Sequence, residues 1–567
     1  APDPHMTARR LIPLLSLLLA AATGAAAGPG CRDAGLVLIN GRIATLDAGG
    51  RLVEALAARD GKVVAVGGNE EVSACAGDGT QVIDLGGKTV LPGLIDVHTH
   101  ALDWAKGILQ GEIDAGFPEV RSIADLVRRV GERVAATKPG EWITGSGWDD
   151  AKLAERRYVT RQDLDPISPA NPVYLVHVSG HLAVANGAAL RQAGITRDTK
   201  EPPGGVIEHD RRGDPTGILK DAAMDLMTAR LPPEPPDLAE RAATLASEKA
   251  VEVGLTTIHD ILRTPADRAG YQRAHERGGL KARVQMVPVV GSLAEASQLV
   301  QTGLHTGFGD EELKLGAVKM FADGGMGART IAIYPPGVEG EPDNLGLLIW
   351  KPEEMRKAHR MLAAAGWQLT THAIGDRAID QVLDSYAAAI KALDLRDPRF
   401  RIVHCGISTP AIQKRLRERG VMVDGDPPFV YWIGSWFRKY GAERVRWSYP
   451  GRSYLENGIV AGGGSDVSVT PISPWWGIWA GVTRRELISG EVLAPEERLT
   501  VPQVLALYTR NGALIGREER IKGSLEPGKL ADFIVVDRNV FGVPVDELKD
   551  VQVLQTFVGG RRVYAKP

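Results

Sequence analysis

Charge of one sign is what this sequence most lacks: Lys and Arg number 67 and Asp and Glu 70 over 567 residues, a net charge of -3. So balanced a chain carries no basic footprint, and nucleic acid is not expected as a partner. Internal repeats and low-complexity tracts are absent, which excludes a repeat architecture. Cysteine is scarce, with three residues, Cys31, Cys75 and Cys405, so one intrachain disulfide is the maximum. The N-terminal apolar run, Leu11 to Ala22, is too short to span a bilayer comfortably.

That run has Arg9 and Arg10 before it and Ala25-Ala26-Ala27 after it. This is the order of a cleaved secretory signal, and residues 1–30 read as an N-terminal remnant plus leader. A membrane anchor is the alternative. Gly30-Cys31 would be a lipoprotein acceptor, although Gly28-Pro29-Gly30 suits that poorly. Export to the periplasm or medium implies an oxidising compartment. Cys31 and Cys75 flank one β-rich stretch and could pair there, whereas Cys405 sits in an expected strand, buried and free. Spacing alone does not fix the connectivity.

What the chain does have is Val90-Leu91-Pro92-Gly93-Leu94-Ile95-Asp96-Val97-His98-Thr99-His100. Residues i and i+2 of a strand point to one side, so His98 and His100 converge on a common point. Such a pair at a strand end can share a metal ion, and in a parallel barrel further ligands would lie at later strand ends. Strand-like runs follow at Leu255 to His259, Ala282 to Val289, Gly316 to Phe321, Gln368 to His372, Arg401 to His404, Val421 to Val423 and Ile459 to Ala461. With Leu94 to Val97 they make eight. The expected fold is α/β: a (β/α)8 TIM-like barrel over 93–105 and 237–518. Short strands near both termini suggest one joint β-sandwich, 31–92 plus 519–567, since neither end alone makes a stable core. The long gap after the first barrel strand reads as an inserted α/β cap domain, 106–236, returning through the Pro-rich Leu231 to Pro236.

The strand ends carry the chemistry. The first ends in His98 and His100 and the second in His259-Asp260. The fourth offers Lys319 and Asp323, the fifth His372 and Asp376, the sixth His404-Cys405, and the eighth Gly463-Gly464-Ser465-Asp466. This ordered set, with the Gly523 to Phe533 segment, resembles the amidohydrolase superfamily, and within it the branch of N-substituted formamide deformylase and related metal-dependent hydrolases.

The resemblance implies a metal site of His98, His100, Lys319, His372, His404 and Asp466, holding one or two divalent ions. Imidazoles and a carboxylate suit zinc. It implies a carboxylated Lys319 bridging two metals, against a plain ion pair with Asp323. Asp466 would take a proton from metal-activated water and return it to the leaving nitrogen, against a role as a helix N-cap. His181, in Ser179-Gly180-His181, would contact the substrate or the oxyanion. Asp149, Asp323, Arg329 and His259 are further pocket candidates. So are the aromatics Tyr431, Trp432, Trp436, Phe437, Trp475, Trp476 and Trp479, whose bland reading is loop packing. The segment Asp424-Gly425-Asp426-Pro427 departs from the Gln-Pro expected of this branch, and a carboxylate there would favour a polar or cationic substrate group.

The expected activity is hydrolysis of a carbon–nitrogen bond other than a peptide bond in a small amide. The resemblance also admits a homodimer, with no stable membrane insertion after leader cleavage. The alternatives are a ring-amidine deaminase, disfavoured by Lys319 and by Asp376 where such enzymes place Glu, or a binding protein on the same scaffold.

Overall fold

The computed structural model describes residues 31–567. The expected leader over 1–30 lies outside the described residues. Among them no helix is long and apolar enough to cross a membrane.

The chain is mixed α/β, and its centre is parallel sheet. We number the central strands β1 (Leu94–Thr99), β2 (Leu255–Leu262), β3 (Arg283–Pro288), β4 (Leu313–Leu315 continued by Val318–Phe321), β5 (Leu369–Ala373), β6 (Arg401–His404), β7 (Met422–Gly425) and β8 (Ala461–Gly463). β1, β2, β3 and the first half of β4 form one parallel sheet; the second half of β4 with β5 to β8 forms another. Most of these strands are buried along their whole length, as parallel strands covered on both faces require.

The strand expected over Gly316 to Phe321 is found over Val318–Phe321; Gly316-Ala317 separates it from an earlier piece, Leu313–Leu315, so the two halves of β4 pair with different sheets. A side chain at Gly316 would crowd Gln285 and Val287 of β3 at 3.2–3.3 Å. A bridge between Val289 and Lys319 ties the sheets there. At the other seam the Asp466 N–H donates to the His98 carbonyl at 2.9 Å, and a Cβ on Gly462 would stand 2.9 Å from Val97. This close approach is why β8, expected over Ile459 to Ala461, runs instead through two glycines.

The connecting helices begin where their sequences cap them. Thr264 and Asp267 form a capping box ahead of Pro265–Glu276, and Thr409 accepts the Ile412 N–H ahead of Pro410–Arg419. Their buried stripes fill the cores around the sheets.

Strands from both ends of the chain share one sheet. Thr89–Pro92 pairs antiparallel with Phe533–Val536 on one side and parallel with Arg42–Ala44 on the other. A second sheet orders Lys62–Gly67, Ala55–Arg59, Ala34–Ile39 and Ala76–Asp84. Cys31 and Cys75 are disulfide-bonded beside it, and Cys405 is free and buried. A buried ion pair, Arg283 to Asp532 at 2.7 Å, fastens β3 to this region. Between β1 and β2 a six-stranded mixed sheet, from Ile113–Asp114 to Pro215–Asp221, packs around its own hydrophobic cluster.

Candidate metal centre and substrate pocket

Asp96 builds the floor of the site. Its carboxylate accepts the His98 N–H at 3.0 Å and the Ser465 N–H at 3.1 Å, so β1 and the turn after β8 end at one place. Burial raises this carboxyl to about 8, against the pull of those hydrogen bonds. Beyond Asp96, His98 Nε2 and His100 Nε2 each stand 3.4 Å from Asp466 Oδ1. Among the described residues His98, His100 and Asp466 form a group whose ligand atoms lie within 4.8 Å of one another. Lys319 Nζ is 3.4 Å from His98 Nε2. The His404 ring lies 5.3 Å from that of His98 and 4.7 Å from that of His372. The structure therefore brings together all six side chains expected at the metal. Asp466 (φ 51°) and His404 (φ 69°) both adopt the left-handed conformation, a backbone cost that recurs at functional turns.

The electrostatics prepare these groups to bind a cation. Burial pushes His98, His100 and His372 well below the usual histidine range, and His404 down to about 3. All four imidazoles are neutral at physiological pH, the form that ligates. Burial brings Lys319 down to about 7, although Asp466, Asp424 and Asp426 oppose the shift. A neutral amine is thereby accessible near neutrality. The donor set of neutral imidazoles and a carboxylate fits a divalent ion such as zinc.

A second ring of carboxylates orients the imidazoles. Asp426 Oδ2 accepts from His404 Nδ1 at 2.7 Å, so His404 presents Nε2. Asp424 is bonded to Thr370 at 3.0 Å and lies 3.4 Å from Arg401. Neither is among the residues lining the pocket beside the histidines. Asp323 accepts the N–H groups of Ala332, Ile374 and Gly375 at 2.9–3.1 Å and stands 3.4 Å from His372 Nε2; it shapes loops. His181 Nδ1 is 2.8 Å from Asp221 Oδ1, and its ring lies 5.0 Å from that of His372.

A pocket with about 300 Å³ of empty volume opens beside these groups. Ser179, His181, His372, His404 and Asp466 supply its polar wall, and Met326, Ile374, Phe429, Ile433, Trp436, Tyr449 and Val469 its apolar one. Of the aromatics expected there, Trp436 is present. Trp475 instead belongs to the core cluster with Val504 and Tyr508, because its helix, Pro474–Thr483, is buried almost all round. Trp432 packs edge-on to Tyr431 and Trp476, outside the pocket. Phe429 and Tyr449 were missed; their only signal was proximity to the strand ends.

Other candidates have structural partners. Arg329 pairs with Glu341 and covers the Tyr158 ring. His259 is buried against Arg401, 3.4 Å away, and Asp260 takes the N–H groups of Ala101 and Leu102. Asp149 accepts from the Trp436 indole at 3.2 Å, so it holds the pocket wall without facing into the pocket. Asp149, Asp150 and His177 form a second compact group of potential ligands. Its charges are already balanced by Lys152, 3.0 Å from Asp149, and Lys439, 3.4 Å from Asp150. The Ser179 N–H occupies His177 Nδ1 at 3.1 Å, which assigns the ring proton to Nε2 and leaves no lone pair for a metal.

A sequence profile described as the amidohydrolase family matches residues 81–564. Protein LONG AFTER FAR-RED 3 of Arabidopsis thaliana is 32% identical, over 98% of this chain and 95% of its own. N-substituted formamide deformylase of Arthrobacter pascens is 29% identical, over 93% of this chain and 97% of its own. Among solved structures, an uncharacterized metal-dependent hydrolase from Pyrococcus horikoshii superposes with a TM-score of 0.72 at 25% identity, covering 90% of this chain and 99% of that one.

Proposed function

Because the chain belongs to the amidohydrolase family, we propose that it is a metal-dependent hydrolase of a carbon–nitrogen bond in a small amide of the N-acyl or formamide kind. The observation that carries this reading is the convergence of His98 Nε2, His100 Nε2 and Asp466 Oδ1 within 4.8 Å beside a half-apolar pocket. The relative named as a formamide deformylase points to the same bond class. We read the two parallel sheets as halves of one (β/α)8 barrel, with the terminal strands as a joint sandwich and residues 106–236 as a cap. The disulfide between Cys31 and Cys75 supports an exported protein.

His98, His100, His372, His404 and Asp466 would hold the metal, with zinc the best match to their chemistry. Bound there, a divalent ion supplies Lewis acidity that acidifies water and polarises a carbonyl oxygen. Asp466 takes the proton from the attacking water at a carboxylate oxygen and delivers it to the leaving nitrogen. His181, whose Nδ1–H is taken by Asp221, presents Nε2 to the substrate and donates from it to the carbonyl oxygen or the oxyanion in its doubly protonated form. Lys319, buried and able to be neutral near pH 7, would form an N–C bond from Nζ to carbon dioxide and release one amine proton to water, and the resulting carbamate would offer the metal a further anionic ligand. The apolar wall from Phe429, Trp436 and Tyr449 excludes water and receives an uncharged substituent. Asp376, which accepts the N–H groups of Tyr334 and Arg377 at 3.0 and 2.9 Å, is committed to its helix start, which gives the deaminase reading no support.

Elemental analysis of the mature protein, paired with amine release from a panel of formamides and N-acetyl amines, tests the proposal. One or two zinc ions per chain and turnover that His100→Ala abolishes are expected. A protein that binds no metal after reconstitution would sink it.

A further inference from the structure

Just past the end of β2 stands a cation with no ion-pair partner among the described residues. Arg263 directly follows β2 and precedes the Thr264 cap, at the C-terminal strand ends where parallel barrels bind their ligands. Its side chain is exposed. Among the described residues its guanidinium has no hydrogen bond and no ion pair; its one specific contact is the Phe321 ring, 5.5 Å below. Other cations around the mouth are engaged: Lys152 with Asp149, Lys439 with Asp150, Arg329 with Glu341, and Lys106 with Asp267.

Phe321 links this cation to the chemistry. The same ring is 4.8 Å from Lys319 Nζ and 5.3 Å from the His372 ring. With centroid distances of 5.5 and 4.8 Å, the guanidinium lies within about 10 Å of the Lys319 nitrogen. Through this one ring the cation stands next to the groups on the metal side of the site. Asp103 and Asp225 feel the same charge, but neither comes within ion-pair distance of it. A planar donor fork anchored on an aromatic face and open to solvent is built for a carboxylate, which it can take in two parallel hydrogen bonds.

We propose that Arg263 is a substrate-recognition residue that binds a carboxylate carried by the amide, while the apolar wall takes its uncharged end. A carboxylate one or two bonds from the scissile amide lies roughly 4–5 Å from the carbonyl carbon, and an arginine hydrogen-bonded to it adds roughly 4 Å. That total, roughly 8–9 Å, falls inside the upper bound of about 10 Å set by the two contacts on Phe321. The amide in this statement rests on the hydrolase reading; the carboxylate rests on Arg263 alone.

The experiment compares N-acetyl-leucine with its methyl ester on the metal-loaded full chain. Calorimetry reads binding, and released amine reads turnover. Wild-type protein should bind the acid about tenfold or more tightly than the ester, as a charge-assisted pair predicts. Arg263→Gln should bring the ratio close to one without weakening ester binding, and Arg263→Lys should restore part of it. Equal affinity for acid and ester, no binding of either, or a preference that survives Arg263→Gln would overturn the proposal. Binding of the acid without amine release from any amide would count against the hydrolase reading and leave Arg263 as assigned. Rapid turnover of neutral formamides with no preference for the acid would do the reverse.

Discussion

Replacing Asp426 by Asn should weaken metal binding while sparing, or even raising, the stability of the metal-free protein. Asp426 is fully enclosed; Oδ2 takes the His404 Nδ1–H at 2.7 Å, and Oδ1 has no hydrogen-bond partner. Burial, with Asp466 and Asp424 nearby, pushes its carboxyl well above the ordinary range. In the metal-free protein this charge is a liability, and a neutral amide of the same shape removes it. With metal bound the balance reverses, because the carboxylate fixes the ring and raises the basicity of Nε2. Loss of such a partner costs about 10- to 100-fold in metal affinity, or about 1.4–2.7 kcal/mol. Competition for zinc against a chromophoric chelator gives the affinity, and thermal melts with and without metal give the two stabilities. An Asp426→Asn variant that binds zinc within about twofold of wild type would refute the orienting role. A metal-free melting point well below wild type would refute the electrostatic reasoning.

Lys319→Ala should lower the metal count or cut turnover by about 100-fold or more, and wild-type protein grown with labelled bicarbonate should give a carbamate carbon signal; full activity without that signal would remove the bridging role. Burial alone would raise Glu518, but Lys522 and Lys314 outweigh it and hold it at about 2. Its stabilisation is therefore present above the unfolded value near 4.3 and is lost as pH falls from there towards 2. Glu518→Gln should cost about 3 kcal/mol at neutral pH and flatten that acid limb in denaturant titrations; an unchanged limb would contradict the assignment. Trp436→Ala should widen the pocket and shift kcat/KM towards bulkier amides by about tenfold, with Asp149→Asn acting in the same direction but less, and identical selectivity in both variants would show that this wall does not touch substrate.

Most of the candidate metal ligands were legible because they follow a buried apolar run, and a strand that ends in a polar residue advertises itself. His98, His100, His372 and His404 have that signature, whereas Lys319 lies inside its strand, Val318–Phe321, as a charge among apolar neighbours. The residues that orient them do not. Asp96 sits mid-strand among apolar neighbours, Asp426 lies beyond the strand in a proline-flanked turn, and Asp221 belongs to a separate sheet. Their partners are set by three-dimensional proximity that periodicity does not encode. The aromatic clusters misled for a related reason: Trp475 and Trp436 have similar local surroundings in sequence, and only the packing of the Pro474–Thr483 helix sends one to the core. At β2 the expectation fell on His259-Asp260, yet both are spent on structure, while Arg263, just past the strand, is free. The break in β4 and the two glycines of β8 were invisible as geometry, since both answer to crowding from β3 and β1.

The pairing of Thr89–Pro92 with Phe533–Val536 also sets a timetable for synthesis. One partner leaves the ribosome early and the other some 440 residues later, a wait on the order of 20–90 s at ordinary elongation rates. Through that interval Thr89-Val90-Leu91-Pro92, directly upstream of the first metal-binding strand, offers an unsatisfied apolar edge of the kind that recruits other chains. The Phe533–Val536 strand therefore acts as a clasp that fastens only after it has left the ribosome. Nascent chains that stop before Phe533 should be aggregation-prone in proportion to how long they are held, even though every candidate metal ligand is already present in them.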